Sequence, residues 1–86
     1  MAIPDELFGK GDVYIDFPQE EVMFYFQKET GKIFRKFYWR PSEDEVPHNS
    51  SIFVESRIYG ALTTRENYLI CAGHGQQNMP PAEMGQ

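Results

Sequence analysis

The sequence predicts a mostly β fold, an antiparallel meander of about five strands that stays open or closes into a small barrel. Short runs rich in aromatic and β-branched residues recur along the chain, separated by segments rich in glycine, proline and acidic residues. Aromatic residues form 15% of the chain, and such residues favour pleated surfaces. The length of 86 residues suffices for one domain, which we place at 1–72, followed by a flexible tail at 73–86.

The first predicted elements precede residue 18. Residues 3–9 predict one helical turn, because a proline and two acidic residues come early and a glycine follows. Residues 12–17 predict a strand, because apolar side chains alternate there with Tyr14 and the strand stops at Pro18.

Residues 21–27 and 32–40 predict a hairpin around the segment 28–31, which ends in glycine. The loop length decides which side chains share a face. A three-residue loop would mix Lys36 into the apolar face, whereas a two- or four-residue loop leaves Arg35 as its single charge. We therefore favour the even loop. It places on one face Val22, Phe24, Phe26, Ile33, Arg35, Phe37 and Trp39.

The opposite face of the hairpin also carries large apolar side chains. A single sheet without long helices has nothing of its own to cover a second apolar side, and exposed apolar patches usually mark interfaces. We therefore predict a small binding module, without catalytic activity of its own, that forms a homo-oligomer, first of all a dimer. The predicted interface residues are Met23, Tyr25, Phe34, Tyr38 and Tyr14.

Residues 51–62 fit two structures. Val54, Ile58 and Leu62 recur at the spacing of a strand face and also at the spacing of a helix that follows candidate capping residues. We favour a strand, because β-branched and aromatic residues prefer pleated surfaces and Gly60 would weaken a helix. The alternative is an α+β fold with a helix at 51–62.

Two further segments complete the prediction. Residues 41–50 predict a loop, since they contain two prolines and an acidic run. Residues 67–72 are short and apolar and predict a closing strand.

Positive charge is concentrated at 28–40, with five basic residues and one acidic residue in a chain of net charge −5. Cations interleaved with aromatic rings are typical of single-stranded nucleic-acid binding, which is an alternative function. We favour pairing of these cations with acidic residues of neighbouring strands. The nucleic-acid contacts of the alternative are Lys32, Arg35, Lys36, Trp39 and Arg40.

Acidic residues are grouped within 12–21 and at 43–45. Carboxylates presented to a basic partner protein would suit an acidic inhibitor or immunity-type protein, which is a second alternative. A third alternative is a small-molecule binder or enzyme whose pocket forms at a subunit interface.

Few residues point to catalysis or metal binding. Cys71, His48 and His74 fall short of the compact ligand set of a zinc site, so we predict no metal, cofactor or catalytic residue. A single cysteine and the absence of a leader pattern at residues 1–11 predict a cytoplasmic protein. The apolar runs are too short to predict a membrane span.

Overall fold

The computed structural model describes residues 2–40 and 42–71, which form an antiparallel sheet with one helix on each face. The strands are β1 (Val13–Phe17), β2 (Val22–Gln27), β3 (Lys32–Phe37), β4 (Glu43–Val46) and β5 (Ala61–Leu62). The helices are α1 (Ser51–Tyr59) and α2 (Arg65–Leu69), with 3₁₀ helices at Asp5–Gly9 and Pro18–Glu20.

The strand order is β4-β3-β2-β1-β5, so β1 to β4 form the predicted meander and β5 adds to the other side of β1. The sheet is open, with edges at β4 and β5, and the alternative of a closed barrel is wrong. Within the described ranges, no helix has the length and hydropathy to cross a membrane. The predicted tail at 73–86 lies outside the described residues.

The β2–β3 hairpin has the predicted even loop. Phe24 lies opposite Arg35 and Phe26 opposite Ile33, so the apolar residues of both strands share the predicted face. Gly31 has a φ of 76°, in the left-handed region, and its N–H donates to the Gln27 carbonyl (2.8 Å). Glycine adopts that backbone at the lowest cost, which explains its place at the end of the loop.

The main core lies between this face of the sheet, which we call the inner face, and α1. The Phe53 ring of α1 packs edge-on against Phe24 at 5.3 Å between centroids. Phe8, from the first 3₁₀ helix, packs edge-on against Phe26 at 5.1 Å. The buried residues of this core are Ile3, Val13, Ile15, Phe17, Val22, Phe24, Ile33, Val46 and Phe53.

The preferred strand at 51–62 is wrong, and the helical alternative is correct over Ser51–Tyr59. The Ser50 side chain accepts from the Phe53 N–H and caps the helix. The Ser56 hydroxyl is buried and donates to the Phe53 carbonyl (2.6 Å). Burial of Phe53 against the sheet thus outweighs the strand preference of the β-branched residues, because tertiary packing commonly overrides propensity.

Gly60 ends α1 where the helix approaches β1 closely. A Cβ atom there would lie 2.6 Å from the Ser56 carbonyl oxygen of α1 and 3.0 Å from the Asp16 carbonyl oxygen of β1. The glycine is therefore required by the close approach of two backbones.

The loop prediction for 41–50 is wrong over Glu43–Val46, which forms the edge strand β4. Asp44 lies opposite Arg35 and Glu43 opposite Lys36, so unlike charges face each other across the two strands. Such pairs compensate for the low strand propensity of acidic residues, and an edge position leaves their carboxylates in contact with water.

The closing strand predicted at 67–72 is also wrong, since Arg65–Leu69 forms α2. The Thr64 hydroxyl accepts from the Asn67 N–H (3.1 Å) and caps this helix. Tyr68 and Cys71, three positions apart, both face the sheet and are buried. Their spacing is that of a helical face.

Candidate protein-binding surfaces

The five predicted interface residues do share one face of the sheet, opposite the inner face, and we call it the tyrosine face. Tyr14 and Tyr25 stack with 4.8 Å between centroids, and Tyr25 stacks on Phe34 at 5.7 Å. Tyr38 and Met23 belong to the same cluster. The even hairpin loop therefore predicted correctly which side chains come together.

The premise that nothing in the chain covers this face is wrong. The Tyr68 ring of α2 lies 5.7 Å from the ring of Tyr14 and 5.5 Å from that of Tyr25. Met23 is buried beside Tyr68 and Cys71. The segment interpreted as a strand thus supplies a second apolar layer, which removes the physical reason given for self-association.

Three tyrosine hydroxyls on this face donate hydrogen bonds to carboxylates from both acidic groups. Burial, followed by the bonded carboxylate, raises the pKa of each of these phenols. The hydroxyls therefore stay protonated donors at neutral pH, and these carboxylates serve the fold. The pairs are Tyr68 with Glu43 (2.5 Å), Tyr25 with Asp12 (3.1 Å) and Tyr38 with Asp16.

The basic residues of 28–40 largely pair within the chain, as we favoured. Asp44 accepts from both Arg40 (2.6 Å) and Arg35 (3.2 Å). Lys36 lies over the Tyr68 ring and donates to two carbonyls of α2 at 3.3 and 3.4 Å. These contacts bind the edge strand and α2 to the sheet, so the three cations have a structural role.

The alternative nucleic-acid contacts do not form one surface. Arg35 shares a face with the inner-face residues of β3, whereas Lys32 and Lys36 point to the tyrosine face. Trp39 is exposed and stacks on Phe37 at 4.9 Å. A stacking platform needs rings and cations side by side on one face, so this placement does not favour that alternative.

Cys71 is a buried free thiol. Burial raises its pKa to about 11, which leaves it protonated and a weak nucleophile at neutral pH. His48 lies 2.5 Å from the Gly31 carbonyl oxygen, far along the chain from Cys71. Among residues 2–40 and 42–71, no group of three or more histidine, cysteine or acidic side chains is arranged to hold a metal ion. His74 lies outside the described residues.

Sequence reasoning missed a surface around α1. A pocket of about 270 Å³, which we call the α1 pocket, opens between this helix, the first 3₁₀ helix and the hairpin. Its polar rim contains His48 and the ion pair of Arg57 with Asp5. Its apolar wall is formed by Phe8, Phe26, Ile33 and Phe53.

Beside the pocket, α1 exposes Val54, Ile58 and Tyr59, which we call the α1 ridge. Val54 and Ile58 each follow a pocket-lining residue by one position, so the two helix stripes are neighbours. The sequence places Val54 and Ile58 on one face of either a strand or a helix. Their spacing did not decide between the two structures, and it did not reveal which side of the helix faces water.

A family model described as "Tis1 immunity protein" matches residues 1–73. The chain belongs to the Tis1 immunity protein family. It is 34% identical over 70 residues to the immune protein Tis1 of Pseudomonas aeruginosa strain UCBPP-PA14, which covers 79% of this chain and 91% of that protein. One chain in the crystal structure of the complex between the type VI effector Tas1 and its immunity protein is 30% identical, with a TM-score of 0.73. That match covers 79% of this chain and 91% of the other.

Membership of the Tis1 family supports the immunity-type alternative rather than self-association as the main function. It also supports a protein partner, because the matched structure is a complex between an effector and its immunity protein. Any partner-binding surface of this chain is therefore presented by this sheet and its two helices.

Proposed function

We propose that this chain is an immunity protein that binds a Tas1-like type VI effector and blocks its toxicity. The family match over residues 1–73 carries the proposal, because it includes every residue that the structure describes. The fold-level likeness, at a TM-score of 0.73, supports the same scaffold for both proteins.

The described side chains suit inhibition by binding. The buried thiol of Cys71 is a protonated, weak nucleophile, and the tyrosine hydroxyls are held by carboxylates inside the fold. The sheet packs against a helix on each face, and a prefolded binder loses little conformational entropy when it meets its partner. The negative net charge of −5 would accelerate association with a basic effector surface.

A growth assay tests the proposal. Tas1 and the Tas1-like effector from the organism that encodes this chain are each expressed in a bacterial host, with or without the chain. We expect growth to be restored against the effector from the same organism and not against an unrelated toxin. If neither effector is neutralised and neither binds the purified chain, the proposal is wrong.

A further inference from the structure

We propose that the effector docks on the α1 ridge and inserts one large apolar side chain, flanked by a basic residue, into the α1 pocket. This inference rests on the proposed function, since it assigns the surface through which the immunity protein would recognise its effector.

In the part of the chain that the structure describes, the ridge is the solvent-exposed face of α1. Val54 is 42% exposed and Ile58 44% exposed, although the opposite side of the same helix is buried against the inner face. Neighbouring aliphatic side chains on a helix surface form the apolar centre of a typical interface. Tyr59 extends the ridge, and tyrosine is among the residues enriched at energetically dominant interface positions.

The pocket has the size and chemistry for one side chain. Its volume of about 270 Å³ lies just below the range of about 300–1,000 Å³ typical of small-molecule sites. Three aromatic rings and Ile33 form its wall. A phenylalanine, leucine or similar side chain of a partner would bury its surface there, which is how dominant interface residues gain most of their binding energy.

The rim of the pocket favours a basic neighbour beside that side chain. The Asp5 side chain is 84% exposed although it is paired with Arg57, so its carboxylate retains room for a second cation. Glu6 and Glu55 are also exposed, on the 3₁₀ helix and on α1. Together with the net charge of −5, these acidic residues complement a basic effector surface.

Another pair of exposed apolar residues allows a matched control. Leu69 is 52% exposed and Ile70 54% exposed, at the end of α2 on the other side of the sheet. The helix α1 packs on the opposite face of the sheet. The double variants Val54→Lys/Ile58→Lys, called the α1 variant, and Leu69→Lys/Ile70→Lys, called the α2 variant, therefore make the same chemical change on opposite sides of the sheet.

The experiment measures the affinity of each variant for the effector from the same organism by biolayer interferometry, after thermal unfolding has shown that each variant is folded. We expect the α1 variant to lose affinity by about 100-fold, because two interface anchors are removed and cations are added. The α2 variant should change affinity by less than about threefold.

Two further variants test the pocket and its rim. His48→Trp, at the mouth of the pocket, should fill it and weaken binding by about tenfold or more. Asp5→Asn should slow association and reduce its dependence on salt concentration, as expected for the loss of a rim charge.

Three outcomes would overturn the inference. One is that Val54→Lys/Ile58→Lys binds the effector as tightly as the wild type does. The proposed function would stand in that case, because the wild type still binds the effector. Another is loss of binding in the α2 variant alone, which would place the effector on the tyrosine face. The third is that the wild-type chain is a dimer and that Val54→Lys/Ile58→Lys makes it a monomer without changing its affinity for the effector. The ridge would then be a homodimer contact. If the wild-type chain itself does not bind, the proposed function fails instead.

Discussion

Replacing Tyr68 with alanine tests whether α2 holds the tyrosine face together. Tyr68 is 2% exposed, and its ring lies 5.7 and 5.5 Å from those of Tyr14 and Tyr25. Removing a buried aromatic ring from a core costs about 3–5 kcal/mol, and we expect about 4 kcal/mol here. Small domains have total stabilities of about 5–15 kcal/mol, so the variant should be close to unfolding.

Urea denaturation followed by the fluorescence of Trp39, the single tryptophan, measures this effect. With an m-value of about 1–2 kcal/mol/M, the expected loss lowers the midpoint by about 2–4 M urea. Tyr68→Phe removes only the hydroxyl bond to Glu43 and should cost about 1 kcal/mol.

Tyr59→Ala is the matched control, because Tyr59 is 65% exposed at the end of α1. Its change in stability should stay within about 0.5 kcal/mol. Equal midpoints for the two alanine variants would refute the assignment of α2 as the cover of the second face and would restore the case for a partner there.

Three further predictions concern the close contact, the edge strand and the buried thiol. Gly60→Ala should destabilise the fold by more than about 1 kcal/mol through its clash with Ser56 and β1, whereas Gly11→Ala, with nothing within 4 Å, should be nearly neutral in thermal unfolding. Asp44→Asn should cost about 1 kcal/mol at low salt and less at high salt, since the two ion pairs it removes are partly exposed. Stability should fall as the pH rises above about 9, because the pKa of Cys71 is raised to about 11 in the fold and the unfolded chain releases that proton first. A Cys71→Ser variant should lose part of this pH dependence, measured by urea midpoints between pH 8 and 10, and an unchanged slope would contradict the assignment.

The hairpin register was predictable from the sequence because the hydrophobic pattern decided between loop lengths that the turn residues alone permit. Glycine at position 31 indicated the end of the loop, and only an even loop gathers the apolar residues of both strands on one face. The pairing of Phe24 with Arg35 and Phe26 with Ile33 confirms that register. Where the turn residues allow few loop lengths and the hydrophobic pattern selects one of them, a short segment contains enough information.

Residues 51–59 show why the other elements were not predictable. The spacing of Val54 and Ile58 fits both a strand and a helix. The segment forms a helix because Phe53 and Ser56 are then buried against the inner face. That choice depends on partners distant in sequence, which local periodicity does not contain. The acidic edge strand β4 is a similar case, because Asp44 is stabilised in a strand by Arg35, which lies opposite it on β3.

The candidate binding surface could be recognised only in three dimensions. The α1 pocket joins Asp5, Phe26, His48 and Phe53, which are far apart along the chain. The ridge beside it includes Val54 and Ile58, whose spacing fits both a strand and a helix and does not show which side faces water. The carboxylates grouped within 12–21 and at 43–45 suggested the immunity-type alternative, but the fold decides which apolar side chains remain exposed to water.

Hydrogen–deuterium exchange of the chain, alone and with the effector from the same organism, shows which face of the sheet the effector covers. Effector binding is predicted to slow exchange in peptides covering the 3₁₀ helix at Asp5–Gly9 and α1 at Ser51–Tyr59. Peptides from α2 at Arg65–Leu69 should exchange at an unchanged rate. Protection of α2, with α1 and the 3₁₀ helix at Asp5–Gly9 unaffected, would instead place the effector on the tyrosine face.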